Sequence, residues 1–475
     1  MWRRPAAILA IATALTAACG SGTGTSASPS NATGANTDSQ EAQTSPNGPI
    51  MVAGAERDTL ALVDPADGSA RAIDHPAHLV GEPAFLSGTG GPDGVYALAV
   101  TPEDAFVFHV ETGTVQNSVP LGDLLGVSPS PDPEAALFSH EEQLTVVDLR
   151  TGRLIDVGGS DPGLARLRVD AGSRRAVVSR GSGGGELVDL ERGTSKRLAD
   201  DLLLIGDGLD HEGRRVFVAR RGSSEPLERQ LLVVGFDDPE SSEVWYESAT
   251  VEAQLTGYAW SGDVIVAVDL AGRVLVLDGT EPEQIGTLGD GGTGPSRVYG
   301  AADTGAVLVS RSDRTGERWH RVDPSSRDVQ PLPELDGLEP LGDERLPSAL
   351  ILGEGDGAVE WSRLVVVPIE NADAIEIMAL DAPQPLVVSA VGGGLVMITR
   401  VDFRRREYAL VDARDGSIAG EGTSAGAVVL SPDLAHMAVT PDIRRPTAVV
   451  RAIADDAPAR ELGEGEAIAW LRSPG

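Results

Sequence analysis

A pattern that returns about every 43 residues runs through this chain, and self-similarity at such a period restricts it to architectures built by stacking one small unit. A short apolar strand ends in Asp, and Gly follows four residues later. Leu60-Ala61-Leu62-Val63-Asp64 with Gly68 is one copy, and Leu144-Thr145-Val146-Val147-Asp148 with Gly152 is another. Further copies end at Asp189, Asp278, Asp323 and Asp412, while His109, Gly235, Pro368 and Arg451 stand at the Asp position of degenerate ones. Ten units result, at steps of 39 to 46 residues.

The Asp-to-Gly segment reads as a hairpin turn in which Gly takes a positive φ. Another strand precedes each copy, as in Arg214 to Ala219 or Ala435 to Thr440, and before it stands a turn such as Ser130-Pro131-Asp132 or Ser431-Pro432-Asp433. A fourth strand lies ahead of that turn. Four short strands per unit and no long helical period predict an all-β chain of propeller blades. The Ser-Pro-Asp turn and the strand ending in Asp-x-x-x-Gly resemble WD-like, TolB-like and quinoprotein-like propeller repeats over nearly all of Ile50 to Leu471. That resemblance implies a β-propeller and no particular activity. The first unit lacks its innermost strand, and a spare one, Glu466 to Leu471, follows the last, so the C-terminal strand is expected to complete the first blade. One closed ring of ten blades is the preferred reading. Insertions on a seven- or eight-bladed ring, or two fused rings, are the alternatives.

The N-terminus points to export. Arg3 and Arg4 precede an uncharged stretch from Ala6 to Ala18, too short to span a bilayer as a helix, which is the layout of a signal peptide. The ending Leu15-Thr16-Ala17-Ala18-Cys19 resembles the bacterial lipobox, which implies cleavage before Cys19, lipidation of its thiol and anchoring of the chain to the outer face of the cell membrane. Residues 1–18 are then signal peptide, 19–48 a lipidated cysteine with a Ser/Gly/Thr-rich tether, and 49–475 the propeller domain. Cys19 is the one cysteine in 475 residues, so the domain has no disulfide. Its composition resembles that of GC-rich, actinobacterial proteins, with Lys196 the sole lysine.

The chain carries 72 acidic and 38 basic residues, a net charge of -34. Such a body repels nucleic-acid backbones, so no nucleic-acid partner is expected. The motifs that carry chemistry elsewhere are weak here. Gly422-Thr423-Ser424-Ala425-Gly426 matches a nucleophile elbow in letters, yet no helix follows, so it reads as a blade connection. His75 and His78, with His109 and His140, are the candidates for a zinc site, a faint resemblance to AztD-type zinc metallochaperones that lacks their dense His clusters. Asp64 with Asp67, and Asp412 with Asp415, lack the spacing of a calcium loop. No catalytic residue and no cofactor is expected. The reading favours a binding or scaffold module for an envelope protein, glycan or small ligand. An envelope hydrolase, lyase or oxidoreductase with an axial site, or a zinc chaperone, are the rivals.

Overall fold

The computed structural model describes residues 48–471 except for short stretches between strands, of which 74–83, 88–95 and 221–229 are the longest. The chain is all-β, a β-propeller of four-stranded antiparallel blades with two single-turn 3-10 helices, Val251–Ala253 and Pro333–Leu335, among the described residues. Ten blades follow in order, and each of the ten repeat units ends the third strand of one of them, or lies in it. Blade three, for example, comprises Gly126–Pro129, Ala135–His140, Gln143–Asp148 and Arg153–Asp156. Blades eight and nine are joined into one seven-stranded sheet, because the 16-residue strand Ile375–Ala390 pairs with Glu360–Pro368 at its start and Leu395–Asp402 at its end.

The middle strands explain why the sequence shows apolar runs rather than alternation. A blade is covered by neighbours on both faces, so strands such as Val264–Asp269 and Gly185–Asp189 are buried along nearly their whole length. The fourth strand is the rim and is mostly exposed, as in Thr194–Arg197. Each apolar cluster therefore lies in a seam between consecutive blades. Phe217, Trp245 and Trp260 fill that between five and six, and Leu308, Trp319 and Leu350 that between seven and eight. Between two and three, Asn117 Nδ2 donates to the Gly152 carbonyl at 2.8 Å.

The order of contacts returns to its start. Strand Glu466–Trp470 pairs antiparallel with Ile50–Ala53 and becomes the first strand of blade one, as the sequence predicts. Ile50, Val52, Val63, Ala467 and Trp470 then share a cluster with Val429, Ala438 and Val450 of blade ten. The polar contacts repeat as well. On blade one, rim residue Arg71 donates to the Val110 carbonyl in the third turn of blade two at 2.8 Å; on blade ten, rim residue Arg460 donates to the Pro65 carbonyl in the third turn of blade one at 2.9 Å.

The Asp-x-x-x-Gly turns close as the sequence implies. The amide of Gly193 donates to the Asp189 carbonyl at 2.8 Å, that of Gly416 to Asp412 at 2.8 Å, and both glycines have positive φ. The Asp side chain caps the same turn: Asp64 Oδ1 accepts from the Ala66 amide at 2.7 Å. In blades seven and eight the glycine position is held by Arg327 (φ 58) and Ala372 (φ 60).

Candidate functional site

The residues singled out in the sequence are dispersed or already engaged. Cys19, His75 and His78 lie outside the described residues, as does the side chain of His140, whose backbone ends a strand opposite Gln143. His109 does the work of the Asp it replaces: its Nδ1 accepts from the Thr112 amide at 3.4 Å, and its ring meets Tyr96 edge-on with centroids 5.3 Å apart. Among the described residues no three His, Cys, Asp or Glu side chains converge as metal ligands. Ser424 is fully buried at the end of strand Ile418–Ser424, where its Oγ accepts from the Thr440 amide at 3.3 Å. It locks a turn at the seam of blades nine and ten and is closed to solvent. The carboxylates of Asp67 and Asp415 accept from the amides of Ser69 and Ser417 at 2.7 and 2.9 Å, and the serine side chains first, with these amide bonds second, hold both acids below the usual range.

Buried charge gathers instead in the seams. Between blades three and four, Arg174 donates to the wholly buried Asp148 at 2.7 Å, and Asp148 also accepts from the Arg150 amide and the Thr151 hydroxyl. In the same seam Arg180 donates to Glu186 at 2.9 Å and to the Val157 and Gly158 carbonyls of blade three. Burial pushes the Glu186 carboxyl upward, and the Arg180 guanidinium opposes that shift. Arg180 Nε is buried without a partner, and the remaining groups of these contacts are paired, so the seam reads as a structural tie.

The seam between blades six and seven differs. Cross-strand register puts Ser296, Arg311 and Arg318 in one row and Val309 with His320 in another, both on the face of blade seven that packs against Val266, Val268 and Val274 of blade six. Arg311 is buried and donates to the Leu270 carbonyl of blade six at 2.9 Å, its guanidinium lying where a side chain at Gly272 would stand. The Leu270 amide donates to the Gln254 carbonyl, and the Ser296 amide to the Thr256 hydroxyl. Ser296 Oγ and His320 Nδ1, on this face of blade seven, are buried without a hydrogen-bond partner in the protein, as is Gln254 Oε1 just ahead of the first strand of blade six. Ser296, His320 and Gln254 are 2%, 8% and 5% exposed. Burial lowers the His320 pKa, the Asp336 carboxylate opposes this, and Arg318 and Arg311 add to it. The imidazole is therefore neutral near pH 7. None of these residues belongs to a motif singled out in the sequence. Register equivalence puts Arg180, Arg220 and Arg400 of blades four, five and nine at the position of Arg311, and Glu186 of blade four at that of His320.

The blades define a β-propeller, and comparisons go little further. No protein-family model and no curated protein matches the chain. Among solved structures it is similar to a eukaryotic initiation factor at 12% identity, covering 88% of this chain and 97% of that one, with a TM-score of 0.47. An oligogalacturonate lyase in complex with manganese shows 11% identity over 79% of this chain and 97% of its own, TM-score 0.40. Apo AztD from Citrobacter koseri shows 12% identity over 78% and 94%, TM-score 0.39. Likenesses this distant say nothing about what the chain binds.

Proposed function

We propose that the chain is a lipid-anchored, extracytoplasmic β-propeller, one closed ring of ten blades, that serves as a binding or scaffold module for an envelope protein, glycan or small ligand. The observation that carries the non-enzymatic part is the fate of the chemistry-bearing motifs: Ser424, His109 and the Asp-Gly turns are each consumed by the fold. Support for the anchor comes from the sequence ending at Cys19, and Gly48, where the tether would meet the ring, accepts a bond from Trp470 Nε1. The tether of about 28 residues reaches roughly 30 Å as a flexible coil, enough to lift the ring off the headgroups. Zinc delivery is the weaker rival, because His109 is engaged in its own turn.

The test is in-cell cross-linking of the full chain, followed by reconstitution with whatever single partner is recovered. A saturable complex with the intact ring, lost when residues 464–475 are deleted, is expected. An envelope substrate turned over by the purified chain, or the absence of any saturable partner, overturns the reading. Zinc loading followed by desalting should leave less than about 0.2 equivalents, since stable retention needs three or four converging ligands.

A further inference from the structure

We propose that the outer edge of strand Ile418–Ser424, the rim of blade nine, is a docking site for an extended, basic segment of a partner protein that adds to the sheet as a further strand. The inference rests on the scaffold reading and gives it a surface. An edge strand leaves a row of backbone N–H and C=O groups outside the ladder, so it is a template for strand addition unless something blunts it. Nine sheets end outward in such a rim strand. Arg71, Arg153, Lys196 and Arg460 stand on four of these strands, and proline ends two more, Val115–Pro120 and Asp328–Pro331. Basic side chains and prolines are the usual guards of an edge. Ser242–Glu247, Glu283–Thr287 and Ile418–Ser424 have neither. The last is the longest of the nine, at seven residues, and it closes the seven-stranded sheet of blades eight and nine. It also carries Ile418, which at 61% is the most exposed large apolar side chain among the described residues.

Charge sets the kind of partner. Glu421 is exposed on the strand itself, and Glu461 and Glu464 are exposed on the rim of blade ten, the blade that Gly420 approaches. Among the described residues no ion pair engages these three carboxylates. The arginines around them are taken: Arg414 binds Asp412, Arg400 binds Glu407, and Arg460 donates to the Pro65 carbonyl. A second copy of the chain, with its net charge of -34, would bring the same acidic edge to this one and set like charges across the new pair. A basic segment meets opposite charge instead. Exposed Glu421 and Thr423 alternate with Gly420 and Gly422, so an incoming strand finds an acidic side chain on one face and bare backbone on the other. A segment alternating basic and apolar residues suits both faces.

The experiment uses the full chain purified in detergent, with a fluorescent, capped peptide of about eight residues alternating lysine and valine as the probe. Anisotropy at physiological salt is expected to show saturable binding at one site per chain. The same peptide with glutamate for lysine, or with its central backbone amides N-methylated, should bind at least about tenfold more weakly, since the first loses the charge match and the second the donors of the ladder. Glu421→Lys and Ile418→Lys, both at exposed positions, should each weaken the lysine peptide severalfold while the chain melts as before. Val244→Lys on the rim of blade five should leave binding unchanged. Equal binding of the N-methylated peptide overturns the proposal, because charge alone then holds it, and undiminished binding to both rim variants overturns it by placing the peptide elsewhere. A dimer of the chain alone that Ile418→Lys dissolves overturns it in favour of a second copy. The partner recovered by cross-linking separates this inference from the scaffold reading: if it binds the Glu421→Lys chain as tightly as the parent, the rim of blade nine is not its surface and the scaffold reading stands.

Discussion

Ala372 adopts a left-handed backbone in a turn where Gly193 and Gly416 do so in other blades, and its amide closes the same five-residue loop onto the Pro368 carbonyl. A side chain in that region costs about 1–2 kcal/mol, and glycine gives back about 0.5–1 kcal/mol in unfolded-chain entropy. Ala372→Gly should therefore stabilise the fold by about 0.5–1 kcal/mol, read as a higher urea midpoint with unchanged slope. Gly416→Ala should do the reverse by more, since its Cβ would lie 2.5 Å from the Glu376 carbonyl oxygen. His320 gives a prediction in pH. Its folded pKa lies below the ordinary 6.5, so the unfolded chain takes up more protons and stability falls as pH drops through about 6.5. His320→Gln should flatten that part of the profile in thermal melts. Asp189 with Gly193 could be read from the sequence because the turn is local. The seam of Gln254, Ser296, Arg311 and His320 could not, because it joins positions spread over some sixty residues and two blades.

At the scale of elements, side chains cross the seams between blades, and among the described residues Arg174 to Asp148 is one of the two most deeply buried ion pairs. Arg174→Met strands a carboxylate that is wholly buried, which should cost about 3–5 kcal/mol in chemical denaturation. Asp148→Leu in the same chain should recover most of that loss. The strands themselves were legible, because burial on both faces writes continuous apolar runs such as Leu231 to Val234 into the sequence. The shared strand Ile375–Ala390 was not. It runs through Pro383 and Pro385, because the nine-residue strand Glu360–Pro368 is long enough to pair Glu360 with Pro385 and Trp361 with Gln384.

For the molecule as a whole, the first strand of blade one comes from Glu466–Trp470, and its residues share an apolar cluster with blade ten. Trp470 is buried and bonded to Gly48, so Trp470→Ala should cost about 3–5 kcal/mol, and deleting residues 464–475 should leave a chain that no longer melts cooperatively. The proposed lipid anchor predicts that Cys19→Ala moves the protein from the membrane to the soluble fraction of cells without changing its melting temperature. The closure strand was legible because a unit short of one strand faced a strand without a unit. The blade order was legible for the same reason as the repeat. The most direct measurement replaces Val52 and Ala467, register partners in the closing pair, with cysteine in a Cys19→Ala background. Paired strands hold such positions within about 5.5 Å, the span of a disulfide. A closed ring predicts quantitative oxidation within one chain, seen as a reduction-sensitive shift of the monomer on a gel. Free thiols, or cross-links between chains only, would contradict it.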